Sequence, residues 1–145
     1  MLNLEELEQL VAFKELGTLS KVAEKLLIST PSLSRSMQHL EEDFGVPLFD
    51  RSANRISLNE TGERAVEVAR RILSTSQQGI KEVRQFDQSL KTITIASAAP
   101  APLWSLLPQL TTLYPNKQIS HQICSIQQAM EAIENKEINL AVLPF

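Results

Sequence analysis

Residues 1–45 constrain the fold more tightly than any other part of the chain, because helix-stop and helix-start signals alternate there with apolar residues at helical spacing. Residues 4–16 (LEELEQLVAFKEL) bring Leu4, Leu7, Leu10, Val11 and Leu16 near one face of a helix, and Gly17 ends it. Thr18 offers a hydroxyl to cap a second helix, LSKVAEKLL, whose Leu19, Val22, Ala23 and Leu26 share a face. Ile28-Ser29-Thr30-Pro31 then reads as a turn. Ile28 suits an inward position, Ser29 or Thr30 caps, and proline is tolerated in a first helical turn. A third helix is expected from Pro31 to Phe44, burying Leu33, Met37, Leu40 and Phe44 and closed by Gly45. Two short helices joined by a tight turn, after a supporting helix, make a helix-turn-helix.

The third helix is polarised. Its first two turns expose Thr30, Ser32, Ser34, Arg35, Ser36 and Gln38 and carry no acid, whereas its last turn carries Glu41, Glu42 and Asp43. Acids at a helix C-terminus oppose the macrodipole, so local stability does not account for them. Their placement does keep negative charge away from the end that reads base edges in helix-turn-helix proteins. That local pattern outweighs a net charge of −3, which by itself argues against nucleic acid. Two short β-compatible pieces follow, near 48–50 and 56–58, around a polar tip bearing Arg51, Asn54 and Arg55. This reads as a wing whose arginines reach a DNA backbone or minor groove. Asn59 caps the next helix.

The stretch from Leu4 to Glu63 resembles the DNA-binding domain of LysR-type transcriptional regulators. The residues that carry the likeness are Ser34-Arg35, Leu40-Glu41, Gly45-Val46-Pro47-Leu48-Phe49, Arg51, Leu58 and Gly62, in order and at the family's spacing. The resemblance implies DNA contacts at Thr30, Pro31, Ser34, Arg35 and Gln38 of the third helix and at Arg51 and Arg55 of the wing. Thr30 stands where glutamine is common, Gln38 and His39 where basic residues are common, and Asn59 where threonine is usual. With less positive charge on the single domain, dimerisation is expected to supply affinity.

Residues 60–89 contain no proline, and Ala65, Ala69, Ile72, Ser76, Gly79, Val83, Phe86 and Leu90 follow alternating steps of three and four. This seam suits close packing of two helices, with Ser76 and Gly79 weakening it, although it could pack on its own chain rather than a partner. Ala65, Ala69, Ile72, Val83 and Phe86 are the candidate dimerisation residues. In the family this is a linker helix that pairs two chains, which implies a homodimer or homotetramer on double-stranded DNA carrying an interrupted palindrome.

From Lys91 the pattern changes to β-α-β-α-β: strands over 92–96, 117–123 and 138–143, helices over 103–114 and 126–136, with Pro108 near a start or a kink. This order predicts a parallel α/β sheet. It resembles the opening of the family's effector-binding domain through Leu107-Pro108, Tyr114-Pro115 and residues 137–142. Ser97, Pro100 and Ser125 match positions that line the family's small-molecule effector cleft, and simple helix capping accounts for the serines equally well. The expected organisation is a winged helix-turn-helix (1–59), a linker and dimerisation helix (60–90) and a truncated parallel α/β segment (91–145), an α+β and α/β chain. Effector sensing belongs to a longer form, and the open sheet edge favours self-association.

Other functions find little support. Two histidines and a single cysteine, with no phosphate-cradling glycine motif and no ligand cluster, leave no basis for catalysis, a metal or a cofactor. His39 has no second histidine or cysteine three or four residues away and reads as a surface or phosphate-side residue rather than a metal ligand. No apolar run approaches the roughly 18 residues that cross a bilayer. The acidic start lacks the features of a secretion signal, so a cytoplasmic protein without a membrane partner is expected. A winged helix that binds proteins rather than specific DNA is the alternative reading.

Overall fold

The computed structural model describes residues 1–144 and divides into two compact units with the boundary after Ile80. The first unit holds α1 (Leu4–Leu16), α2 (Leu19–Leu26), α3 (Thr30–Phe44), the hairpin β1 (Phe49–Ser52) and β2 (Arg55–Leu58), and the first part of α4 (Glu60–Lys91). Local chemistry sets these boundaries. Asn3 Oδ1 accepts from the Glu5 N–H at 2.8 Å to start α1, and Gly17, at φ 86°, closes it with its N–H on the Phe13 carbonyl. Thr18 caps α2, and Ser29, not Thr30, caps α3 by accepting from the Ser32 N–H. Leu27 ends α2 in the left-handed region at φ 57°, with its side chain out in solvent.

The core of this unit is one cluster. Leu7, Leu10, Val22, Leu33, Met37, Leu40 and Leu48 are fully buried in it. Phe13 meets Phe49 edge to face, with ring centroids 5.4 Å apart, and so anchors the hairpin to α1. The expected faces need adjustment at their ends. Leu4 and Leu26 are exposed, whereas Phe13 is buried. Leu4 opens its helix with no turn before it to pack on, and Phe13 continues the Leu7–Leu10 stripe at a further step of three.

Asn59 fastens the start of α4. Its Oδ1 accepts from the Gly62 N–H at 2.7 Å, its Nδ2 donates to the Pro47 carbonyl and its N–H donates to the Leu48 carbonyl. Gly62, Ala65, Val66 and Ala69 are buried against the first core. The first half of α4 is therefore part of the first unit rather than a free-standing linker, and residues 81–91 are exposed along their whole length.

The second unit is a parallel sheet of order β4-β3-β5, made of β3 (Thr92–Ser97), β4 (Gln118–Ile123) and β5 (Leu140–Val142), with α5 (Pro100–Leu113) and α6 (Ile126–Glu134). Alternation along β3 sends Ile93 and Ile95 into one core with Leu103 and Leu110 of α5. Ala96 faces the other core, with Ala129 and Ala132 of α6 and Ile138. The helices thus cover opposite faces of the sheet, as the β-α-β-α-β order implies. Helix α5 starts earlier than expected, with Pro100 in its first turn, and Pro108 lies inside it instead of near its start. Proline there forfeits one backbone hydrogen bond of the helix, on a face exposed to solvent. Helix α6 stops at Glu134 and β5 is shorter than expected, because Lys136 turns the chain at φ 58° and only Leu140–Val142 reach β3. No described helix is long and apolar enough to cross a membrane.

A Cβ added at Gly62 would overlap the Leu48 carbonyl oxygen and press on Leu58 Cδ2 at 2.8 Å. Gly62→Ala is expected to destabilise the first unit by about 1–3 kcal/mol, read as a lower midpoint in urea unfolding.

Candidate nucleic-acid interface

Burial of Leu33, Met37 and Leu40 fixes the rotation of α3 about its axis, and the opposite face is thereby presented to solvent. Thr30, Pro31, Arg35 and Gln38 are exposed on that side, and Ser34 is half-buried at its edge. No acid lies in the first turn of α3. Arg35 Nη2 donates to Ser32 Oγ at 3.2 Å, and Ser32 Oγ in turn pairs with the capping Ser29 Oγ at 2.8 Å. The guanidinium is thus tied back to the helix start through a neutral hydroxyl, with its charge uncompensated. Among the described residues neither Arg35 nor Arg55 takes part in an ion pair.

The hairpin supplies the second part of the surface. β1 and β2 are antiparallel, pairing Phe49 with Leu58 and Ser52 with Arg55, so Ala53 and Asn54 form the tip. Buried Phe49 anchors its base, while Arg51 and Arg55 are exposed. Arg51 is not free. Its Nη2 donates to Glu41 Oε1 at 2.8 Å, and Glu41 Oε2 accepts from the Leu48 N–H at 2.8 Å. One carboxylate therefore braces both the root of the wing and the arginine that projects from it.

Sequence reasoning missed this role for Glu41. The available signal was an acid in the last turn of a helix, where the macrodipole disfavours it, which implies a partner elsewhere. A second missed pair is Glu6 and His39. Glu6 is buried in α1, and its Oε1 lies 3.0 Å from His39 Nδ1 on α3. This contact holds the His39 pKa above the ordinary 6.5, chiefly through the hydrogen bond and the charge of Glu6. Asp43 also accounts for one of the unexplained acids of α3, since it lies 3.6 Å from the Met1 amino group.

The remaining candidates are placed differently. Ala65 and Ala69 are buried in the core of their own chain, which leaves no surface for a second chain, while Ile72 is half-buried and Val83 and Phe86 are exposed. Packing of the seam on its own chain therefore holds for its first two positions. Ser97 and Ser125 both lie at the C-terminal ends of parallel strands, where ligands bind in open α/β sheets. Ser97 is fully buried and bonded to the Ala99 backbone, Pro100 is exposed at the start of α5, and Ser125 caps α6 in a reciprocal pair with Gln128. The described residues contain no group of three or more His, Cys, Asp or Glu able to hold a metal ion.

Residues 4–63 match the family described as bacterial regulatory helix-turn-helix protein, lysR family. A probable RuBisCO transcriptional regulator of Guillardia theta is 28% identical over 97% of this chain and 47% of its own length. The HTH-type transcriptional activator CmpR of Synechocystis sp. is 30% identical over 92% of this chain and 45% of its own. Among solved structures, CbnR, a LysR family transcriptional regulator, superposes over 99% of this chain and 51% of its own, at 26% identity and a TM-score of 0.59. A structure of full-length CbnR complexed with its target DNA matches with a TM-score of 0.56 at the same identity, over 52% of its length. The chain spans less than half the length of the curated relatives it matches.

Glu41→Ala leaves the Leu48 N–H without its partner and releases Arg51. The expected result is a loss of about 1–3 kcal/mol of stability together with faster amide exchange across residues 48–58, read by mass spectrometry.

Proposed function

We propose that this chain, whose residues 4–63 match the lysR family of bacterial regulatory helix-turn-helix proteins, is a sequence-specific, DNA-binding transcription regulator. The observation that carries the reading is the outer face of α3. It combines an acid-free N-terminal half, exposed Thr30, Pro31 and Gln38, and Arg35 tethered to a neutral hydroxyl with its charge unspent. Arginine in that position reads guanine by two parallel hydrogen bonds in the major groove, while a glutamine amide matches adenine. Arg51 and Arg55 hold the phosphate backbone beside the groove. CbnR, to which this chain is similar, has been crystallised with its target DNA, which supports the same partner here.

In the same reading two chains act together on an interrupted palindrome, since a single recognition helix spans too few base pairs for a unique site. Of the candidate dimerisation residues of α4, Ile72, Val83 and Phe86 have surface to give to that pairing. Ser97, Pro100 and Ser125 form the strand-end region where a small-molecule effector of the whole protein would sit. The compartment is the cytoplasm, where the DNA target is accessible.

The test is selection of binding sites from a pool of random duplexes, followed by anisotropy titration of a selected duplex against a scrambled one at two salt concentrations. Arg35→Ala is expected to weaken the selected duplex by about 1–3 kcal/mol and to relax preference at one base position. Arg55→Ala should weaken all duplexes evenly and lower the salt slope by about one. Equal, weak binding of selected and scrambled duplexes by the unmodified chain contradicts the reading.

A further inference from the structure

Between the start of α1 and the outer face of α3 lies an open hollow that includes Glu6, Ser32, Arg35 and His39. Ser32, Arg35 and His39 recur on α3 at steps of three and four, so they share the face assigned to DNA. Glu6 belongs to the hollow but is only 9% exposed. Its Oε1 meets His39 Nδ1, while its Oε2 is buried without any hydrogen-bond partner. A carboxylate so placed is costly, and an apolar residue would fill the site more stably. What Glu6 provides is control over one imidazole.

That control follows from which nitrogen it holds. With Nδ1 turned to a carboxylate, the neutral ring keeps its single proton on Nδ1, and Nε2 is a bare acceptor. Protonation adds a hydrogen at Nε2, which becomes a charged donor. The His39 side chain is 65% exposed, so Nε2 is accessible from solvent. The charged groups around the ring are Glu6 from α1, Arg35, Glu42 and Asp43 from α3, and the Met1 amino group paired with Asp43.

We propose that His39 is a further DNA-backbone contact of this surface, with Nε2–H donating to a phosphate while Glu6 holds Nδ1. The inference rests on the DNA-binding reading and adds to it a dependence on pH. Glu6 raises the His39 pKa above 6.5, and the acids of α3 add to the effect. The cationic donor is fully present below the ordinary value and is lost as pH rises through the raised one. A phosphate then faces a lone pair rather than a proton, and binding weakens.

The experiment uses the whole chain and a duplex obtained by the selection above, titrated across salt at about pH 6 and about pH 8.5. The unmodified chain is expected to bind roughly 10-fold more weakly at the higher pH, with a salt slope smaller by about one. His39→Gln should show the weak affinity and the small slope at both pH values. His39→Arg, a permanent cation, should bind tightly at both. Glu6→Gln should move the midpoint of the pH dependence down toward the ordinary histidine value. A His39→Gln protein that keeps the original pH and salt dependence overturns the proposal while leaving the DNA reading standing. If the unmodified chain at the lower pH does not prefer the selected duplex to a scrambled one, both fall together.

Discussion

Everything proposed for the first unit depends on how α3 is seated. Leu33, Met37 and Leu40 are fully buried among Leu7, Leu10, Val22 and Leu48, so the helix cannot rotate without exposing them. Each such side chain contributes about 1.5–3 kcal/mol by leaving water. That seating, not any property of the polar residues themselves, turns Pro31, Arg35, Gln38 and His39 outward together. A surface built on a rigid helix keeps its donors in a fixed relation to one another, which base readout requires. The wing shares the same foundation through Leu48 and Phe49.

Charge is arranged on this frame by short, specific contacts rather than by excess. The chain carries 17 acidic and 14 basic side chains, so electrostatic attraction of the whole molecule to DNA is not available. Glu41 instead takes up Arg51 and the Leu48 N–H, Asp43 takes up the chain's amino terminus, and Glu6 takes up His39. Arg35 and Arg55 are left without acidic partners. Glu41 and Asp43 at the end of α3 are thus consumed internally, while Arg35 and Arg55 keep uncompensated charge on the surface proposed to meet DNA.

The sequence made some parts of this plain and hid others. Helix ends were legible because single residues decide them: Gly17 and Gly45 in the left-handed region, Thr18, Asn59 and Ser125 as caps. The parallel sheet was legible from the order of its elements and the alternation in 92–96. Glu41 and Glu6 were not, because each acts through a partner distant in sequence, His39 lying 33 residues from Glu6. The seam of α4 misled at Ala65 and Ala69, since a helical stripe of small residues records that something packs there and not which chain supplies it. Pro108 was expected at a start or kink, yet an exposed helix face tolerated it.

The outer face of α3 and the two wing arginines are proposed to contact DNA together. Amide hydrogen exchange of the whole chain, free and saturated with a selected duplex, tests it most directly. Exchange is expected to slow over residues 30–39 and 51–55 on the duplex, with the strands β3 and β4 unchanged. Protection confined to α4 or to the second unit, with α3 and the wing exchanging as in the free chain, would contradict it.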